Sequence, residues 1–196
     1  MCIRDSYHTY DKKKPTRSSD IFDLASITKV VSTTSAIMKL QDLNKIDINK
    51  PVVKYLPEFK GATKKHISQK SSITIKDLLA HVSGLPPFKK YYETEKTKAS
   101  LLKSIYDTDP IYENRDTTIY SDVGAIILGK IVEKVSGLTL DVFVDSMVFE
   151  PLGMGTTFFN PPKEKKHRIV PTEISCLLYT SPSPRDRTRS RMPSSA

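Results

Sequence analysis

Apolar residues recur at helical spacing in several stretches of the chain, and these stretches predict its elements. From Asp23, which can act as a cap, Leu24, Ile27 and Val31 and beside them Val30, Ile37 and Met38 mark a helix. Its middle, "STTSA", consists of small residues with poor helix propensity. Such a helix needs tight packing on several sides, so we read it as a buried central helix. "LNKIDINKPVVKYLPEF" follows as a turn and a short helix begun by proline.

"SSITIKDLLAHVSGLPPF" places Thr74 and Asp77 as a capping box before an apolar run, with Gly84 expected to stop the helix and Pro86 and Pro87 behind it. Ala99 to Tyr106 predicts another helix, followed by a loop from Asp107 to Thr118. In "YSDVGAIILGKIVEKVSG" the stripe Ile127, Ile131 and Val135 lies between Asp122 near the start and Gly137 at the end, an amphipathic helix. "TLDVFVDSMVFEPLGM" adds one more, closed by Pro151 and Gly153. The polar, Lys-rich segment Tyr7 to Ser19 reads as a strand end or loop. The pattern predicts a mainly helical chain, with no internal repeat and no glycine-rich phosphate loop.

The two ends do not belong to this pattern. ATG-TGT-ATA-AGA-GAC encodes Met1 to Asp5, and its reverse complement lies inside TGT-CTC-TTA-TAC-ACA-TCT, which encodes Cys176 to Ser181. Both ends are thus explained by one DNA sequence, similar to a transposase-type sequencing adapter, read on opposite strands. Residues 1–6 and 176–196 are expected to be adapter-derived, leaving 7–175 as an internal part of one domain. Both cysteines, Cys2 and Cys176, fall in these ends, so cysteine usage says nothing about disulfides or metal sites. The ends also hold five arginines against two aspartates, which lowers the formal net charge of +9 by three. The remaining charge comes largely from lysine runs such as Lys12 to Lys14 and "KEKKH", read as solvated faces; no nucleic-acid-binding motif accompanies them. No apolar run approaches the roughly 20 residues of a membrane span.

"FDLASITKVV" sets Ser26 and Lys29 three residues apart at a helix start. On a helix that spacing puts Cβ atoms about 5–6 Å apart, so the lysine amine can reach the serine hydroxyl. A hydroxyl needs such a neighbour to become a nucleophile. Burial and the helix dipole are expected to depress the Lys29 pKa, and the Ser26 N–H is placed where an oxyanion would form. A second Ser-x-x-Lys, Ser100 to Lys103, leads a helix in a charged region and lacks this context. Tyr120 and Asp122 stand just before a helix, where a loop can present them to a neighbouring site. Tyr112-Glu113-Asn114 is a weaker match in the preceding loop. His81 is read as a packed or capping histidine. No His or Cys pair offers metal ligands, and no cofactor is expected.

"FDLASITKVV", "LLAHVSGLP", "YSDVGAIILGKIVEKVSG" and "FEPLGMGTTFF", in this order, resemble the serine β-lactamase and penicillin-binding-protein-like family, nearest its class C and esterase-like branch. The resemblance implies an α+β, β-lactamase/transpeptidase-like fold, of which this chain would hold mainly the helical subdomain and the nucleophile helix, with most of the antiparallel sheet missing. It implies Ser26 as acylated nucleophile, Lys29 as the partner sharing its proton, Tyr120 as general base and Asp122 as a substrate-binding residue. Asp122 falls where the family commonly has Asn, whose amide both accepts and donates; a carboxylate only accepts, which weighs against β-lactam binding more than against hydrolysis. The implied activity is a serine hydrolase acting on an ester, a D-amino-acid peptide or a β-lactam, with a non-catalytic module that binds cell-wall peptide or a protein partner as the alternative. A periplasmic or otherwise exported location and a small-molecule or peptide substrate follow from the same resemblance. The family's strand with a Lys-Thr-Gly or His-x-Gly motif does not appear after "KEKKHRIVPTE", so the segment alone is expected to be inactive and poorly folded.

Overall fold

Helices and turns account for nearly all regular structure in the computed structural model, which describes residues 7–9, 13–61 and 63–171. The adapter-like ends, 1–6 and 176–196, lie outside the described residues. The chain divides into two units, Met1–Asp23 with Pro162–Ala196, and Leu24–Pro161. In the first, a 3₁₀ turn at Lys163–Arg168 leads to Ile169, which forms a parallel bridge with Ile21. His8 pairs with Asp20 at 2.7 Å, and the Arg168 guanidinium donates to the Ser19 carbonyl. Among the described residues β pairing is confined to isolated bridges: this one, Tyr7 with Pro15, and Pro51 with Thr74.

The second unit opens with a 3₁₀ turn at Ala25–Ile27, passes through a π-helical stretch at Lys29–Thr34 and continues as α1, Ser35–Asp42. Leu24, not Asp23, occupies the first cap position, without a side-chain cap bond. The widened turn follows from its hydroxyl-rich sequence. Thr34 Oγ1 donates to the Lys29 carbonyl at 2.9 Å and Ser35 Oγ to the Val30 carbonyl at 3.1 Å, both five residues back. Back-bonding of this kind competes with the regular ladder. The helix is buried along one face, with Ser32, Thr33, Ala36, Ile37 and Leu40 enclosed, whereas Ile27, Val30 and Met38 are 57%, 64% and 62% exposed. The expectation of burial on several sides therefore holds for one side only.

α2, Val52–Tyr55, begins after Pro51 as expected. α3, Lys64–Ser72, has no counterpart in the hydrophobic pattern; Thr63 caps it by accepting from the His66 N–H. This polar helix is held by a lysine. Lys70 is fully buried, donates to the carbonyls of Lys60 and Tyr106 at 2.8 and 2.7 Å, stands 3.4 Å from the Asp109 carboxylate and lies over the Phe59 ring. Burial holds its pKa below the ordinary lysine value, against the pull of Asp109.

α4, Ile75–Leu79, carries the predicted capping box between Thr74 and Asp77. It ends earlier than Gly84, because His81 takes a left-handed backbone conformation (φ +59°) and breaks the helix. Gly84, at φ +73°, turns the chain so closely to Tyr112 that a Cβ would meet the Tyr112 carbonyl oxygen at 2.2 Å. α5, Tyr91–Thr94, and α6, Lys98–Tyr106, follow. α7, Asp122–Ser136, is the hub: Val123, Ile127, Leu128, Ile131 and Val132 are buried, and it packs on α1, α4 and α8 (Leu140–Val144). Gly137 closes it at φ +74°. No helix among the described residues is long and apolar enough to cross a membrane.

Candidate active site

Ser26 sits in the 3₁₀ turn directly after Ala25, whose φ of +44° is costly for a residue with a Cβ. This turn and the first π-helical residue bring the predicted pair together, with Lys29 Nζ donating to Ser26 Oγ at 3.2 Å. The same ammonium reaches across to the start of α7, where Asp122 Oδ1 lies 2.8 Å away. It also stands 5.1 Å from the centre of the Tyr120 ring. Ser26, Lys29, Tyr120 and Asp122, spread over 97 positions of sequence, thus surround one amino group.

The electrostatics differ from the expectation for Lys29. Burial does pull its pKa down, but the Asp122 carboxylate and the Tyr120 hydroxyl outweigh burial and hold it above the ordinary lysine value. The charged ammonium form of Lys29 is thereby favoured. Its hydrogen bond, and that of Ser26, hold the Tyr120 phenol below its usual range, with burial opposing. Among these groups the phenol is the one whose proton loss is eased.

The segment that presents Tyr120 and Asp122 is tied by four hydrogen bonds to the stretch from His81 to Pro87 that follows α4. Ile119 N–H donates to the His81 carbonyl at 2.8 Å, and Ser121 N–H to His81 Nδ1 at 3.1 Å. Ser121 Oγ donates to the Pro86 carbonyl at 2.7 Å, and Asp122 N–H to the Pro87 carbonyl at 2.8 Å. Ser121 also caps α7 through the Gly124 N–H. The "HVSGLPP" stretch therefore frames the site. Its proximity to Tyr120 depends on folding and cannot be seen in the spacing of the motifs.

The two weaker motif matches stand elsewhere. Ser100 completes the capping box of α6 with Thr97, and Lys103 pairs with Asp107 on an exposed face. Asn114 donates to Asp77 at 3.2 Å. A cavity of about 460 Å³ opens beside Lys29 and Asp122, lined also by Thr28, Phe88, Tyr91 and Ile126. Among the described residues no three His, Cys, Asp or Glu side chains gather as a metal site.

The Beta-lactamase family model matches residues 4–175, nearly the whole chain. The chain belongs to the Beta-lactamase family. Within it, the chain is 37% identical over 151 residues to a Salmonella gallinarum protein named "Putative D-alanyl-D-alanine carboxypeptidase", a match covering 74% of this chain and 35% of that protein. Among solved structures, FmtA from Staphylococcus aureus aligns with a TM-score of 0.70 and 27% identity, over 84% of this chain and 44% of that one. A family VIII carboxylesterase aligns with a TM-score of 0.68 and 24% identity, over 84% of this chain and 44% of that one, a likeness of fold alone. The chain spans about a third of the length of the curated relatives it matches. Its helix-rich structure accords with the helical part of a β-lactamase/transpeptidase-like fold.

Proposed function

We propose that the protein carrying this segment is a serine hydrolase that works through an acyl-enzyme on Ser26. The observation that carries this reading is the single ammonium of Lys29, in contact with Ser26 Oγ at 3.2 Å and Asp122 at 2.8 Å and bonded to the Tyr120 hydroxyl. Tyr120, as phenolate, takes the Ser26 proton while Oγ attacks the substrate carbonyl. The tetrahedral centre collapses to a Ser26 ester as Tyr120 returns the proton to the leaving group. Water then repeats the sequence and frees Ser26. Lys29 moves no proton in this scheme; it holds the phenolate and polarises Oγ.

Substrates in this reading are esters or D-amino-acid peptides. Similarity to proteins named for carboxypeptidase activity supports the peptide, and the same likeness supports export from the cytoplasm. β-Lactams rank lower because the Asp122 carboxylate cannot donate to them. Asp122→Asn supplies that donor and is expected to raise acylation by a fluorescent penicillin about tenfold, the worth of one added hydrogen bond; an unchanged or lower rate would remove Asp122 from substrate selection.

The direct test is labelling of the full-length protein by a fluorophosphonate. Label on Ser26 that disappears in Ser26→Ala is expected. Equal labelling of both proteins would sink the proposal. Asp122 also motivates a second reading, a non-catalytic module that binds cell-wall peptide or a protein partner, which an isolated Ser26 acyl-enzyme would eliminate.

A further inference from the structure

Resting on that reading, we propose that His81 is a positioning residue for Tyr120, holding the base in place only while its imidazole is neutral. Three observations carry this. The His81 ring packs against the Tyr120 ring, centroids 4.8 Å apart and planes tilted by 44°. Its Nδ1 accepts the Ser121 N–H at 3.1 Å, and its carbonyl accepts the Ile119 N–H at 2.8 Å. One residue thus grips the backbone on both sides of Tyr120 and the tyrosine ring between them.

The grip depends on protonation. A nitrogen that accepts from a backbone N–H carries no proton, so the neutral ring holds its hydrogen on Nε2. A proton on Nδ1 would face the Ser121 N–H with a second donor and break the bond. The charged groups facing the ring come from two elements: the Lys29 ammonium opposes a second positive charge, and the Asp122 carboxylate at the start of α7 favours it. Burial is the leading cause and, with Lys29, holds the imidazole below its ordinary value. The neutral, accepting form is the resting state at neutral pH. Acidification below the usual histidine range removes the Ser121 N–H bond while the His81 carbonyl keeps Ile119, so Tyr120 is loosened on its Ser121 side.

The left-handed backbone at His81, φ +59°, selects the variants. Asparagine tolerates this conformation and places Oδ1 where Nδ1 stands, so His81→Asn keeps the acceptor and cannot titrate. His81→Leu removes the acceptor. In the full-length protein, kcat for a nitrophenyl ester is expected to fall about 10- to 100-fold in His81→Leu with KM little changed, the scale of a misplaced base, and His81→Asn is expected to restore most of it. Below neutral pH, log kcat/KM of the wild type should steepen from a slope of about one to about two as His81 and Tyr120 both gain protons, while His81→Asn keeps a slope of about one. Coincident profiles for wild type and His81→Asn, or full activity in His81→Leu, would overturn the proposal.

A physical readout separates this from the hydrolase reading. If the wild type forms no Ser26 acyl-enzyme, the hydrolase reading fails, and the tyrosinate absorbance of Tyr120, isolated by subtracting Tyr120→Phe, still tests His81. An upward shift of that titration in His81→Leu supports the positioning role; no shift removes it. Should His81→Leu not fold, the pH profile of His81→Asn decides alone.

Discussion

Lys29→Met is expected to lower acylation of the full-length protein by about a thousandfold or more, the upper range for removing one preorganised charge at a reacting centre. Three effects act in the same direction. Ser26 Oγ loses its hydrogen-bond donor, the Tyr120 phenol loses the main cause of its depressed pKa, and the Asp122 carboxylate is left facing the phenolate unpaired. The pH profile should move with the rate. With Tyr120 returned toward its ordinary value, the acid limb of kcat/KM shifts to higher pH. Steady-state hydrolysis of an activated ester from pH 5 to 10 checks both, with thermal unfolding as the control for folding. Activity within threefold of wild type would exclude Lys29 from the chemistry.

Asp77→Ala is expected to destabilise the protein by about 3 kcal/mol, the scale of losing a capping box together with a buried carboxylate that satisfies several donors. The Asp77 carboxylate, nearly enclosed, accepts from the Thr74 N–H at 2.9 Å, from Arg115 Nε and Nη2 each at 2.9 Å, and from Asn114 at 3.2 Å. Arg115, at φ +69°, also donates its N–H to the Val82 carbonyl, so the loop that leads to Tyr120 is fastened at the same place. Arg115 is largely exposed, which limits the ion-pair contribution, and most of the loss comes from the cap and the stranded donors. Burial tends to raise the Asp77 pKa, but the bonds from Arg115 and Thr74 outweigh it and hold it below 3.8. A depressed carboxylate stabilises the fold fully above its unfolded value and loses that contribution as pH falls through its folded value. Urea unfolding of wild type should therefore weaken below about pH 4, and Asp77→Ala should lack that part of the decline. Equal midpoints at neutral pH would refute the prediction.

What was readable in the sequence follows from the range of the forces involved. α7 was legible because Ile127, Ile131 and the closing Gly137 are local signals, and so was the capping box of Thr74 and Asp77. α3 was not, since its hold on the fold is one buried lysine that meets carbonyls 10 and 36 residues away. The end of α4 is not legible, and lies before the expected Gly84, because His81 is bent by contacts to residues 119 and 121. Within the candidate site, the reach of Lys29 to Ser26 is a helix-geometry fact and could be read. The direction of the Lys29 pKa could not, because it depends on Asp122, which is distant in sequence and only 2.8 Å away in space. The hold of His81 on Ser121 is hidden for the same reason, since it joins residues 40 apart in sequence.

The π-helical stretch Lys29–Thr34 also bears on how the chain tolerates changes in length. A widened turn behaves as a helix with residues to spare, and each residue of an α-helix turns the chain by about 100°. Deleting Val30 or Val31 would let the turn relax to ordinary helix without disturbing Ala36, Ile37 and Leu40 in the core, and the helix would survive. Because the widened turn already accommodates the spare residue, its loss would leave the direction of Ser26 and Lys29 nearly unchanged, whereas an added residue with no further slack would rotate them by about 100° away from Asp122. A single-codon deletion here is therefore the change this stretch absorbs, and a single-codon insertion the one that takes the site apart.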